Sequence, residues 1–183
     1  MSGSPRRVKQ KILTPILITL AASVLLYAGA CMPHKSEDPN KPLPRKSRAE
    51  SLTWAKQYTS TMAHYAEVKT GHTFGPFTDF EECIGKNDEV ADDGRYTLTY
   101  TVYADLPLAA HIPAVRKLRT ALEKHADVKI TGFQEKDSEV TLYGRHDGEN
   151  FSLIADTVKP PNTLRLSVST PCFLPPEAKQ QKF

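Results

Sequence analysis

The sequence predicts an α+β domain in which an antiparallel sheet of about five strands carries two helices on one face. Three observations lead there. Two stretches, residues 47–68 and 112–125, repeat apolar residues at three- and four-residue steps, the spacing of one helix face. Five others, residues 95–103, 128–134, 139–145, 151–158 and 164–170, are short and rich in strand-favouring residues. The last four of these are separated only by turn residues, and connections that short join antiparallel neighbours.

The first helix is expected to place Leu52, Ala55, Tyr58, Met62 and Tyr65 on its apolar side, with Trp54 at the edge. Ser47 can cap it, and Glu50 supplies the partner of a capping box. Gly71 is expected to end the helical pattern. Residues 70–79 hold two glycines, a proline and two phenylalanines, and read as a loop pinned by Phe74 and Phe77. In residues 95–103, Tyr96, Leu98, Tyr100 and Val102 face one way and Thr97, Thr99, Thr101 and Tyr103 the other. Pro107 breaks that strand. The second helix then carries Pro113 in its first turn and a buried stripe of Ile112, Val115, Leu118 and Leu122. Asp137-Ser138, Asp147-Gly148 and Pro160-Pro161-Asn162 supply the later turns. The last strand alternates Leu164, Leu166 and Val168 with Arg165, Ser167 and Ser169. Helices on one face leave the Thr, Ser and Arg face for solvent or a partner.

The ends of the chain have a different composition. Arg6, Arg7, Lys9 and Lys11 stand without an acid before an apolar run at residues 12–26, and Ala28-Gly29-Ala30 follows. Positive start, apolar centre and small-residue exit is the order of a secretory signal. The formal charge of +3 belongs mostly to this leader, so the composition gives no basic nucleic-acid surface. Residues after Arg6-Arg7 do not continue a twin-arginine motif. The four prolines Pro33, Pro39, Pro42 and Pro44 make residues 31–46 an expected extended tether. Pro171, Pro175 and Pro176 stop regular structure, and residues 177–183 are expected to be a loose tail. The organisation is thus a signal at 1–30, a tether at 31–46, a domain at 47–176 and a tail.

Leu26-Tyr27-Ala28-Gly29-Ala30-Cys31 resembles the lipobox of bacterial lipoproteins. Ala28 departs from the leucine usual at its place. The resemblance implies that the Cys31 thiol is joined to diacylglycerol and that cleavage makes Cys31 the mature N-terminus. The alternative is an uncleaved anchor helix, because residues 12–30 come close to the ~20 needed to span a bilayer. Either way the domain is expected outside the cytoplasm, at the outer face of the membrane.

If Cys31 takes lipid, Cys83 and Cys172 remain, and two leftover cysteines in an oxidising exterior usually bridge. Cys83-Ile84-Gly85, the strand at 96–103 and the end Thr170-Pro171-Cys172-Phe173-Leu174-Pro175-Pro176 also resemble small predicted lipoproteins of actinobacteria over roughly residues 47–176. That group brings no functional residues and favours the same pair.

No catalytic constellation stands out. His64, His72, His111, His125 and His146 lack helical zinc spacing and read as surface or helix-terminal residues. Asp88, Glu89, Asp92 and Asp93 lack the oxygen spacing of a calcium loop and read as a solvated turn ending at Gly94. No serine sits in a nucleophile elbow, and phosphate and dinucleotide fingerprints are absent. Arg116, Lys117, Arg119 and Lys124 form a basic helix face that could meet anionic headgroups. The expected function is a lipid-anchored, non-enzymatic binding or envelope-associated module, using a sheet face or the loops near Phe74, Phe77 and Phe173. The alternatives are a carrier of an apolar or lipid ligand between helices and sheet, and an enzyme with a site scattered in sequence. Neither metal nor cofactor is expected.

Overall fold

The computed structural model describes residues 41–183 except His72, His125 and Ala126. The expected signal, Cys31 and the first part of the tether lie outside the described residues.

Helix α1 spans Arg48–Ala66. Ser47 Oγ accepts from the Glu50 amide (3.2 Å) and the Glu50 carboxylate accepts from the Ser47 amide (2.9 Å), so the capping box is formed. The helix stops before Gly71: Glu67 takes the left-handed conformation at φ +56° and its amide bonds back to the last turn. The face it buries is narrower than the sequence suggests. Ser51, Ala55, Thr59, Met62, Ala63 and Ala66 are buried, while Leu52, Tyr58 and Tyr65 flank them half-exposed. Small residues at the contact let the helix lie close to the sheet.

The sheet has six antiparallel strands rather than about five: β1 (Phe77–Glu82), β2 (Tyr96–Ala104), β3 (Val128–Lys136), β4 (Glu139–His146), β5 (Ser152–Val158) and β6 (Thr163–Ser169). Their order is β1-β2-β6-β5-β4-β3. The unanticipated strand is β1, which begins inside the expected loop. It is an edge strand with no fully buried residue, so it lacks the apolar alternation that marks the others. Helix α2 (His111–Leu122) follows a short 3-10 turn and crosses to the far half of the sheet.

Both helices pack on the same face. Tyr96, Leu98, Leu142, Leu153, Ala155, Leu164, Leu166 and Val168 meet Ala55, Met62, Val115 and Leu118 in one cluster of buried residues. Side chains at alternate positions on β2 and β6 therefore point to the uncovered face. Gly144 is the strand position where a side chain is excluded: a Cβ there would stand 2.9 Å from Leu153 Cδ1.

The disulfide joins Cys83 to Cys172, with Cα atoms 6.0 Å apart and a sequence separation of 89. It ties the chain just after β1 to the chain just after β6.

Two ends of the domain differ from the sequence reading. Residues 177–183 are not a loose tail. The Arg95 guanidinium donates to the Gln181 carbonyl (2.5 Å), the Gln181 amide donates to Asp93 (2.9 Å), and Phe183 stacks 4.3 Å from that guanidinium. Residues 41–46 of the expected tether are also docked. The Lys46 amide donates to the Leu174 carbonyl (3.1 Å) and the Leu174 amide donates to the Pro44 carbonyl (3.0 Å). A charge and free backbone groups recruit these segments, and neither is visible as apolar periodicity.

Candidate binding surface

Register across the uncovered face gives a grid of side chains. Phe77, Thr101, Ser167, Ile154 and Tyr143 stand abreast on β1, β2, β6, β5 and β4. Tyr103, Arg165, Asp156 and Thr141 form the row on one side, and Asp79, Thr99, Ser169, Ser152 and Arg145 the row on the other. Phe77 and Tyr143, at the ends of the central row, are 52 % and 49 % exposed. Between them lies a floor of short hydroxyl side chains, whose centre, Thr101 and Ser167, is itself buried beneath its larger neighbours. Thr101 Oγ1 and Ser167 Oγ are 2.8 Å apart, Thr99 Oγ1 and Ser169 Oγ 3.0 Å, and Ser167 also donates to the Tyr100 carbonyl (3.3 Å). Such cross-strand pairs fix the floor in place.

An ion pair flanks the central row on this face. Arg165 donates through Nε and Nη2 to both oxygens of Asp156, each at 2.8 Å. That fork holds the Arg165 pKa above its ordinary value. Phe74, from the loop before β1, leans edge-on against Tyr103 at 5.7 Å and is 38 % exposed. Phe74, Phe77 and Tyr103 thus gather at one corner of the face. Exposed aromatic rings around fixed polar groups are a composition common at binding surfaces.

Other residues singled out from the sequence have structural roles. Phe173 is buried and packs edge-on against Tyr96 at 6.1 Å, so it belongs to the core and not to a binding loop. Asp93 is no solvated turn residue: it is buried and forked onto the buried Arg95, whose hydrogen bonds hold the carboxyl down at about 2. Glu89 is held below the ordinary carboxylate range by the Asn87 amide and side chain. The basic helix face is largely neutralised. Arg116 forks onto Glu135, Lys117 reaches Glu67, and Arg119 pairs with Glu123.

The histidines are dispersed. His64 is exposed, and His146 stacks on Phe151 at 4.7 Å. His111 is wholly buried at the start of α2, where the sequence had assigned the stripe to Ile112. Its Nδ1 lies 3.1 Å from Thr157 Oγ1 and its Nε2 lies 3.2 Å from the Leu106 carbonyl. The Val140 amide donates to Thr157 Oγ1, leaving the Thr157 proton for Nδ1. A neutral ring protonated on Nε2 satisfies every partner, and burial lowers the pKa. His72 and His125 lie outside the described residues. Among the described residues no three His, Cys, Asp or Glu side chains gather as a metal site.

The layer between helices and sheet, where the alternative of a carrier would seat an apolar ligand, holds the side chains of the core cluster. A depression of about 320 Å³ lies instead beside the outer face of α1, lined by Ala49, Glu50, Thr53, Trp54 and Gln57. Trp54 there packs against Tyr58 and Phe151 at 5.6 and 4.7 Å. Burial pushes the Tyr58 hydroxyl up to about 12.

Sequence reasoning had marked Tyr103 and Arg165 as pointing away from the core. It had not singled out Ile154 or Tyr143. Their signal was the alternation of β4 and β5 around Leu142, Leu153 and Ala155. The chain matches no family model, no curated protein and no solved structure.

Proposed function

We propose that this chain is exported by residues 1–30, acylated on Cys31 and held at the outer face of the cell membrane. There its domain acts as a non-enzymatic binding or envelope-associated module through the uncovered sheet face. The Cys83–Cys172 disulfide carries the first half of this reading, because such bridges persist in oxidising compartments outside the cytoplasm. It agrees with the leader and lipobox resemblance upstream. The second half rests on the grid around Thr101 and Ser167. Beside it Arg165 and Asp156 are locked in a mutual fork suited to holding a surface in shape.

The test uses membranes from cells producing the full chain. Mass spectrometry of the mature N-terminal peptide is expected to find diacylglycerol on Cys31, and Cys31→Ser to abolish it. In-cell cross-linking of wild type against Tyr143→Asp and Phe77→Asp then tests the face. A discrete cross-linked partner is expected, lost in both variants. A partner retained by both, or none in repeated trials, refutes binding through this face.

A further inference from the structure

The described chain begins at Lys41 laced to one end of the domain. Residues 41–46 are laced to the C-terminal segment: Arg45 Nη1 donates to the carbonyls of Pro175 (3.2 Å), Pro176 (2.7 Å) and Ala178 (2.7 Å). Gln180 accepts from the Leu43 amide and donates to the Lys41 carbonyl, both at 2.9 Å. The same segment is tied through Cys172 to Cys83, and through Gln181 to Asp92 and Asp93. The loop at residues 83–95 and the emergence of the chain at Lys41 therefore share one pole of the domain. Phe74 and the start of β1 lie at the opposite end of the strands.

That loop carries an apolar tip. Ile84 and Val90 pair across it as a single antiparallel bridge, closed by the Gly85 amide donating to the Glu89 carbonyl (2.7 Å). They are 65 % and 54 % exposed, the largest exposures among the described big hydrophobic residues. The charges beside them are mostly acidic, Glu82, Asp88, Glu89 and Asp92 against Lys86. Ten residues lead from Cys31 to Lys41, and even a fully extended chain of that length spans no more than roughly 36 Å.

Building on the anchored reading, we propose that the Ile84–Val90 tip rests in the interfacial layer of the outer leaflet when the chain is anchored. The occupant is a lipid surface because the short leash ends at this pole. Two aliphatic side chains are too small a contact to bind a membrane from free solution. An anchor within a few tens of ångströms supplies an effective concentration in the millimolar range, which makes the contact intramolecular. Its acidic surroundings suit a zwitterionic lipid surface and disfavour an anionic one.

The experiment couples the exported chain, Cys31 to Phe183, through its Cys31 thiol to a maleimide lipid in phosphatidylcholine vesicles. Cys83 and Cys172 are bridged and do not compete. A photoreactive phospholipid is activated and the cross-linked peptides are mapped. Cross-links are expected on residues 83–95, unchanged at high salt. They should fall several-fold in Ile84→Asp/Val90→Asp, whose changes are at exposed positions, and persist in Phe74→Asp. They should also be absent when uncoupled chain is mixed with the vesicles. Cross-links spread evenly, concentrated near Phe74, or unaltered in Ile84→Asp/Val90→Asp would overturn the proposal. Chemical coupling keeps this independent of acylation in the cell: a native Cys31 without lipid would sink the anchored reading alone.

Discussion

Removing the disulfide with Cys83→Ala/Cys172→Ala should cost about 4–5 kcal/mol. The bridge closes a loop of 89 residues, and the loop-closure entropy withheld from the unfolded chain grows with the logarithm of that length. A domain of roughly 140 residues unfolds with about 0.3 kcal/mol per degree of entropy near its midpoint, so Tm should fall by roughly 15 °C. Urea denaturation of oxidised wild type and variant is the assay, with the midpoint lowered and the slope slightly raised as the freed chain exposes more surface. The bridge also holds the segment that pins residues 41–46, through Leu174 and Arg45. Hydrogen exchange at the Lys46 and Leu174 amides should accelerate ahead of the sheet amides. A loss under about 1 kcal/mol, with unchanged exchange there, would refute the reasoning: the two ends would then be held together without the covalent link.

Three further outcomes follow from the packing and the charges. Leu166→Ala, on the central strand and wholly buried, should cost about 2–5 kcal/mol in denaturant titrations. The His111 pKa is lowered by burial, so the unfolded chain takes up this proton first as the pH falls. Stability should hold above the unfolded value of about 6.5 and decline below it, and His111→Gln should flatten that decline in urea midpoints from pH 5 to 8. Asp93, held at about 2 by Arg95, stabilises the fold above the unfolded value of about 3.9, and this is lost as pH falls toward 2. Asp93→Ala strands a buried guanidinium and should cost roughly 3 kcal/mol in thermal or chemical unfolding at neutral pH.

Most of the fold was legible because burial writes itself as period. Tyr96, Leu98 and Tyr100 alternate with threonines, and Val115, Leu118 and Leu122 recur at helical steps, since each set faces one common core. The elements that escaped are held by other forces. Strand β1 contains Asp79, Glu81 and Glu82 and buries nothing fully, and Phe80, 5.5 Å from the Tyr96 ring, is the one side chain it packs on the core cluster, so it lacks an apolar period. The C-terminal segment is recruited by the buried Arg95, 86 residues away from Gln181. The one local hint was Asp93 two residues before Arg95, a spacing too common to carry weight. His111 took the buried place next to Ile112 because Thr157, on a distant strand, meets its ring. The candidate surface was half visible: the outward set on β2 and β6 could be read, but not that Phe77, Ile154 and Tyr143 would line up with it.

The strand order has a consequence for how the molecule comes into being. The segment made last, β6, lies between β2 and β5. Until it arrives, the β1–β2 hairpin and the β3–β4–β5 meander have no hydrogen-bonded neighbour in common, and Cys83 waits for Cys172. A polypeptide emerging N-terminus first therefore cannot assemble its sheet piecemeal. Closure of the sheet must await β6, which favours slow folding dominated by distant partners.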